Sequence, residues 1–295
     1  MVGAADAALL TTQASALWPE AATAGVLHVV STPIGNLGDI TLRALAVLSQ
    51  VDAICCEDTR HSRPFLDHYG IKTPTLALHE HNEAEATPQL LSRLRGGESL
   101  ALISDAGTPL VSDPGARLVA AAVAEGLRVV PVPGASATLA ALVASGLVTH
   151  PCTLLGFLDR KGRGRENQLA LLSRLDHSVV IFEAPNRLAD TLNDIARLSG
   201  DQRRAVVGRE LTKRFEEFRA GTLAELAAYY ESVPPRGEIV LVLAAPEPEE
   251  PSDDGLRATA ISLREQGFRP RDIVRILMDE HGVSRNLAYQ LAHDI

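Results

Sequence analysis

The stretch Leu102-Ile-Ser-Asp-Ala-Gly-Thr-Pro-Leu-Val-Ser-Asp-Pro-Gly115 limits most sharply what this chain can become. An apolar run from Ser99 to Ile103 delivers the backbone to Asp105. Gly107, Pro109, Pro114 and Gly115 then break regular structure. A strand that ends this way leaves backbone N–H groups and one carboxylate at the C-terminal edge of a sheet, the edge at which open α/β sheets bind ligands. The same residues also suit a tight strand-to-helix turn in which Asp105 caps backbone amides. The pattern recurs. Gly25 to Ser31 is a short buried strand that stops at Pro33, Gly35 and Gly38, and the helix that follows starts at Thr41. Val129-Val130 runs into Pro131-Val-Pro-Gly-Ala-Ser-Ala137 before a helix from Thr138. Strands alternating with helices imply a parallel sheet, which puts the Gly35, Gly107 and Gly134 turns on one edge.

Two other strand ends carry polar residues. Val51 to Cys55 leads to Cys56-Glu-Asp-Thr-Arg-His-Ser62, either a strand tip presenting charges to a cleft or a helix N-cap with an acidic first turn. Thr75 to Leu78 leads to His79-Glu-His-Asn-Glu83. His79 and His81 share a face, but no third ligand follows at metal-site spacing, so no metal is expected.

The second half begins at Thr153 to Phe157. Asp159-Arg-Lys-Gly-Arg-Gly-Arg165 places four basic residues and two glycines before a helix predicted over 166–175, which reads as a mobile loop. Strands at Ser178–Glu183, Ala205–Val207 and Glu238–Ala245 cluster late, so antiparallel hairpins are expected here. The predicted domains are an α/β unit over 25–149 and a second over 150–245. An acidic, proline-rich linker over 246–255 and a helix-turn-helix-like module over 256–295 follow. Residues 1–24 show no strong period and read as a poorly ordered extension.

Formal net charge is −9, so any nucleic-acid substrate needs a local basic patch on an acidic protein. Three cysteines, two of them adjacent, make neither a disulfide framework nor a zinc spacing, and a reducing cytoplasm fits them. No apolar run is long enough for a membrane span and no targeting signal is evident.

The turns at 31–43, 102–115 and 133–137 occur together with Cys56-Glu-Asp-Thr-Arg60, His81-Asn-Glu83, Glu183-Ala-Pro-Asn-Arg187 and Arg209-Glu-Leu-Thr-Lys213. In that order they resemble the tetrapyrrole methylase superfamily, and within it the ribosomal small subunit methyltransferase I family, from about Gly25 to the C-terminus. Phe157-Leu158-Asp159 departs from the family's Phe-Leu-Pro, and arginines replace the usual lysines of the basic loop. The resemblance implies two α/β domains with S-adenosylmethionine in the cleft between them. It implies 2′-O-methylation of a decoding-centre cytidine in 16S rRNA of the small ribosomal subunit, in the cytoplasm, by a homodimer. Carried over residue by residue, cofactor contacts fall on Ile34, Gly35, Asp105, Ala106, Gly107, Thr108, Val111, Ser136, Ala137, Glu183 and the Gly208–Glu210 segment. A ribose hydroxyl is a weak acid that benefits from an acceptor for its proton, for which Glu57, Asp58, Glu83 and Glu210 are the candidates. RNA contacts are expected from Arg60, Arg160, Lys161, Arg163, Arg165, Arg187, Arg209 and Lys213, as phosphate partners that position RNA without reading its sequence. Three rival readings remain open. One is a methyltransferase of the same fold acting on a tetrapyrrole or another small molecule, and another is a ribosome-assembly factor without catalysis. The third, a dinucleotide-dependent oxidoreductase, lacks a G-x-G-x-x-G after the first strand.

Overall fold

Short apolar runs bounded by turn residues build two sheets in the computed structural model, which describes residues 4–246 and 253–294. The first sheet holds β1 (Val26–Val30), β2 (Ala53–Cys56), β3 (Thr75–Ala77), β4 (Leu100–Leu102) and β5 (Arg128–Val132) in the order β3-β2-β4-β1-β5. All pairings are parallel. The strands are joined through α2 (Leu42–Gln50), α3 (Thr59–His68), α4 (Glu83–Arg95) and α5 (Ala116–Ala124). The chain leaves β1 toward β2 but leaves β4 toward β5. The gap between β1 and β4 is therefore the topological switch point, where sheets of this kind bind ligands.

The second sheet runs β6 (Cys152–Phe157), β7 (Ser178–Glu183), β10 (Ile239–Leu243), β8 (Arg204–Arg209) and β9 (Glu217–Thr222). β6 and β7 are parallel, while β10 is antiparallel to both its neighbours and fully buried. The expected hairpin character is present in β8–β9. β9 has no counterpart among the predicted strands, because it is a half-exposed edge without an apolar run. Helices α7 (Arg163–Arg174), α8 (Leu188–Ser199) and α9 (Leu223–Ser232) cover this sheet, and Thr222 with Glu225 forms a capping box on α9.

Two expectations need correction. Residues 1–24 were expected to be poorly ordered, yet α1 spans Ala4–Leu17 and packs on α2. Ala7 and Ala14 are fully buried, and the Thr11 hydroxyl donates to the Tyr69 carbonyl at 2.7 Å. The buried stripe is made of small residues, which leave little apolar periodicity to read. The second concerns the boundary at 149. Helix α6 (Ala137–Ser145) belongs by sequence to the first half, but its buried Ala141 and Leu142 pack with Val180, Val240 and Val242 of the second sheet.

Residues 253–294 form a separate body of α10 (Asp253–Glu265), α11 (Pro270–His281) and α12 (Arg285–His293), with Leu256, Ile273, Leu277 and Leu291 in its core. Gly282 ends α11 in a left-handed conformation and Ser284 caps α12. The proposed linker falls largely on residues 247–252, outside the described residues, and its last three positions, from Asp253, are helical.

Candidate active site

The three glycine turns meet. Thr32, just past β1, exchanges backbone hydrogen bonds with Gly107, just past β4, at 2.8 and 3.1 Å. The Thr108 hydroxyl donates to the Ala135 carbonyl and lies 3.1 Å from the Ser31 hydroxyl. Gly134 passes so close to Ser31 that a Cβ there would fall 2.9 Å from the serine Cβ. Gly107 adopts φ +81°, and a Cβ on it would press on Ile34 at 3.1 Å, so glycine is required both for the turn and for the approach. Ser136 caps α6, Ala137 opens it, and Val111 sits between Leu110 and Ser112.

A cavity of about 270 Å³ opens at this switch point, lined by Thr32, Ile34, Gly35, Asp105 and Ala106 from the first half and by Lys213 and Glu238 from the second. The N–H groups of Ile34, Gly35, Asp105 and Ala106 donate to no acceptor among the described residues. Asp105 Oδ1 is buried without a partner. Free donors, one unsatisfied carboxylate oxygen and glycine backbone suit a nucleoside-bearing ligand that offers hydroxyl and amino groups. The second half closes the cavity with the side chain of Lys213. A Cβ on Gly35 would lie 2.5 Å from its Cγ, and its Nζ pairs with Glu210 at 2.9 Å and Glu238 at 3.1 Å. Among the described residues four non-glycines are held at positive φ, and all lie on the two loops that face this cleft: Leu110, Ser112, Glu210 and Thr212.

The carboxylates separate by what they already bind. Asp58 caps α3 and pairs with Arg60 at 3.0 Å, and those bonds hold its pKa down to about 2. Glu83 Oε1 accepts from the N–H groups of Arg117 and Leu118 at the N-terminus of α5. Glu210 is bonded to Lys213 and to the Glu238 N–H, which hold its pKa low. Three of the four candidate proton acceptors are thus engaged in structure. Glu57 accepts no hydrogen bond among the described residues, and burial followed by the nearby Asp105 charge raises its pKa. Asp113, which sequence reasoning did not single out, is pushed up to about 6 by burial and by Glu57. Its only sequence signal is its place in the 102–115 turn.

Glu183 is the member of the cofactor set most fully consumed elsewhere. Its buried carboxylate pairs with Arg187 at 3.2 Å and accepts from the Thr191 hydroxyl and the Ala184 N–H. The basic candidates divide likewise. Arg165 is held by Asp194 at 2.8 Å and by Thr191, Arg187 by Glu183 and two carbonyls, and Arg209 by Glu217. Arg60 and Lys213 are paired as described, whereas Arg160, Lys161 and Arg163 are exposed and make no ion pair among the described residues. Arg163 and Arg165 also lie in the first turn of α7 rather than in a loop. The helix starts three residues before its predicted position, with Gly162 as cap and the Asp159 side chain packed against Gly164.

Comparison with known proteins identifies the family and the fold. The model of the Tetrapyrrole (Corrin/Porphyrin) Methylases matches residues 26–227. Ribosomal RNA small subunit methyltransferase I of Mesorhizobium japonicum is 53% identical over 77% of this chain and 78% of its own length. Its namesake from Synechocystis is 43% identical over 92% of this chain and 98% of its own length. Among solved structures, uroporphyrin-III C-methyl transferase from Thermus thermophilus complexed with S-adenyl homocysteine shares the fold. Its TM-score is 0.53 and its identity 20%, over 74% of this chain and 96% of that one. By sequence and by fold, the chain belongs to the tetrapyrrole methylase family and, within it, to the ribosomal RNA small subunit methyltransferase I group.

Proposed function

We propose that this protein methylates the ribose 2′-hydroxyl of a decoding-centre cytidine in 16S rRNA with S-adenosylmethionine, acting in the cytoplasm as a homodimer. The reading rests on the switch-point cavity. It offers free N–H donors and the unsatisfied Asp105 oxygen to a cofactor, and it has Glu57 among the carboxylates at the neighbouring strand tips. Bound there, S-adenosylmethionine supplies a sulfonium-activated methyl group. Ile34, Gly35, Asp105 and Ala106 hold the cofactor, and Gly107 keeps the turn close enough to touch it. Glu57 accepts the proton that the 2′-oxygen gives up, since its oxygens are free and its basicity is raised. Of the cations that the sequence singles out, Arg160, Lys161 and Arg163 are left to meet phosphate, and they supply affinity and orientation rather than sequence reading. Among the described residues no helix is long and apolar enough to cross a membrane. On α6, Leu139 and Val143 lie one turn apart and are 61% and 72% exposed, an apolar strip suited to a second copy of the chain.

Incubating the protein with methyl-labelled S-adenosylmethionine and either small ribosomal subunits lacking the modification or uroporphyrinogen tests the reading. Label is expected in the RNA, at a ribose. Label in the tetrapyrrole alone, or bound cofactor with no transfer to either substrate, overturns it.

A further inference from the structure

A second concavity lies at the tips of β6 and β7, away from the cofactor cavity. It encloses about 550 Å³ and is lined by Phe157, Arg160, Asn186 and Arg187 among others. Phe157 is 54% exposed, an unusual position for a phenylalanine beside a run of charges. It is not loose, since its ring packs against Phe182 with centroids 5.2 Å apart and presents a braced aromatic face. Arg187 fixes one wall through its bonds to Glu183 and to the carbonyls of Leu158 and Asp159. Arg160 and the Asn186 amide, by contrast, have no partner among the described residues. Arg160 and Arg187 also line an adjoining trough of about 640 Å³, where Asp190, Asp194 and Asp201 accompany Arg165 and Arg197 and Asp194 pairs with both of those arginines, so Arg160 is the unpaired cation at this end.

The register ties this concavity to the cofactor site. Phe157 pairs with Phe182, which pairs with Val240, so the three residues lie in one row across the sheet. Phe182 and Val240 pack in the cluster that contains Ile34, a wall of the cofactor cavity. Phe157 is two strand spacings, about 10 Å, along that row from Val240. Gly156 beside it touches Ser112 in the turn that carries Asp105. The two concavities share no lining residue, but this row and the Gly156–Ser112 approach connect them. A braced exposed ring, a free amide and the free Arg160 guanidinium together fit an unstacked base with an adjoining phosphate. A dry protein interface would leave that cation and the amide unsatisfied.

We propose that the β6–β7 tip is a base-binding subsite. Phe157 stacks on an unpaired nucleobase flanking the methylated nucleotide, the Asn186 amide hydrogen-bonds that base's edge, and Arg160 takes an adjoining phosphate. This inference rests on the rRNA reading given above. Its test uses the full chain with two substrates, small ribosomal subunits for methyl transfer and a single-stranded RNA oligonucleotide carrying 2-aminopurine for stacking. Phe157→Ala is expected to raise KM for the subunits on the order of 10- to 100-fold, with kcat and cofactor affinity unchanged. Phe157→Tyr should restore KM, and Asn186→Ala should raise it by a smaller factor. The wild-type protein should quench 2-aminopurine on binding, and F157A should not. An unchanged KM in F157A, failure of the tyrosine variant to rescue, or equal quenching by wild type and F157A overturns the subsite. So does conversion of a dimer to a monomer by F157A in sedimentation, which would assign the ring to a protein interface. If the wild type quenches through Phe157 but transfers no methyl group to RNA, the subsite stands and the proposed reaction falls.

Discussion

Glu57, Asp58, Glu83 and Glu210 are interchangeable on paper and differ in the folded chain only by what already occupies their oxygens. Replacing Glu57 by glutamine keeps its shape and removes its basicity. We expect kcat to fall by about 100-fold or more, with cofactor binding by calorimetry unchanged. The rate of the wild type should rise with pH along an acid limb displaced above the ordinary carboxylate range, because burial and Asp105 raise the pKa of Glu57. Asp113 makes a separate, thermodynamic prediction. Its pKa is about 6 in the fold against a reference of 3.8, so the folded state holds its proton more tightly than the unfolded one. The associated stability is fully present below the reference value and is lost as pH rises through about 6. Asp113→Asn should therefore stabilise the protein near pH 8, by on the order of 2 kcal/mol, and change little near pH 4. Urea melts at the two values check this, and equal effects at both would refute it. Of these distinctions the sequence conveyed only the residue types. The partners of Glu83 lie 34 and 35 positions away, and no local pattern announces them.

At the scale of elements, the sequence was most legible where the signal is punctuation. The glycine and proline turns point to the switch-point cavity, because a parallel sheet collects all its strand tips on one edge. Gly107 tests that inference. With φ +81° and Ile34 3.1 Å from where a Cβ would stand, Gly107→Val strains the turn and pushes the β1 tip away from the β4 tip. Cofactor binding should be lost while the far-UV circular dichroism persists, and normal affinity in that variant would place the cofactor elsewhere. Legibility failed where burial depends on small residues or on an edge. Helix α1 buries alanines and a threonine, and β9 alternates half-buried and exposed positions, so neither carries an apolar run. The basic loop is a related case. Gly164 weakens helix propensity, yet α7 starts at Arg163, with the Asp159 side chain against its first turn.

For the molecule as a whole, charge is the deciding quantity. An acidic protein that binds RNA must do so through cations its own fold has not already paired. Of the eight cations that the sequence singles out, Arg165, Arg187 and Arg209 are committed to buried or half-buried carboxylates and Arg60 and Lys213 to Asp58 and Glu210, leaving Arg160, Lys161 and Arg163. Replacing these three together by glutamine should weaken binding of small-subunit RNA and flatten its dependence on salt, by roughly one unit of slope for each phosphate that is no longer neutralised. Cofactor affinity should not change. An unaltered salt slope in a filter-binding titration would show that the RNA lies on another face.

Helix α6 carries a consequence of a different kind. It is joined to the first sheet by a short turn, and its buried side chains fill the core of the second. Neither half of the α/β body is complete without the other. A chain divided after residue 149 should yield a first fragment that exposes Ala141 and Leu142 and a second that exposes Val180, Val240 and Val242. Each fragment should be insoluble alone, and the two should reassemble when produced together. The cleft proposed as the active site is then a seam between two mutually dependent pieces, and an exchange of either half for a relative's must carry α6 with the sheet it covers.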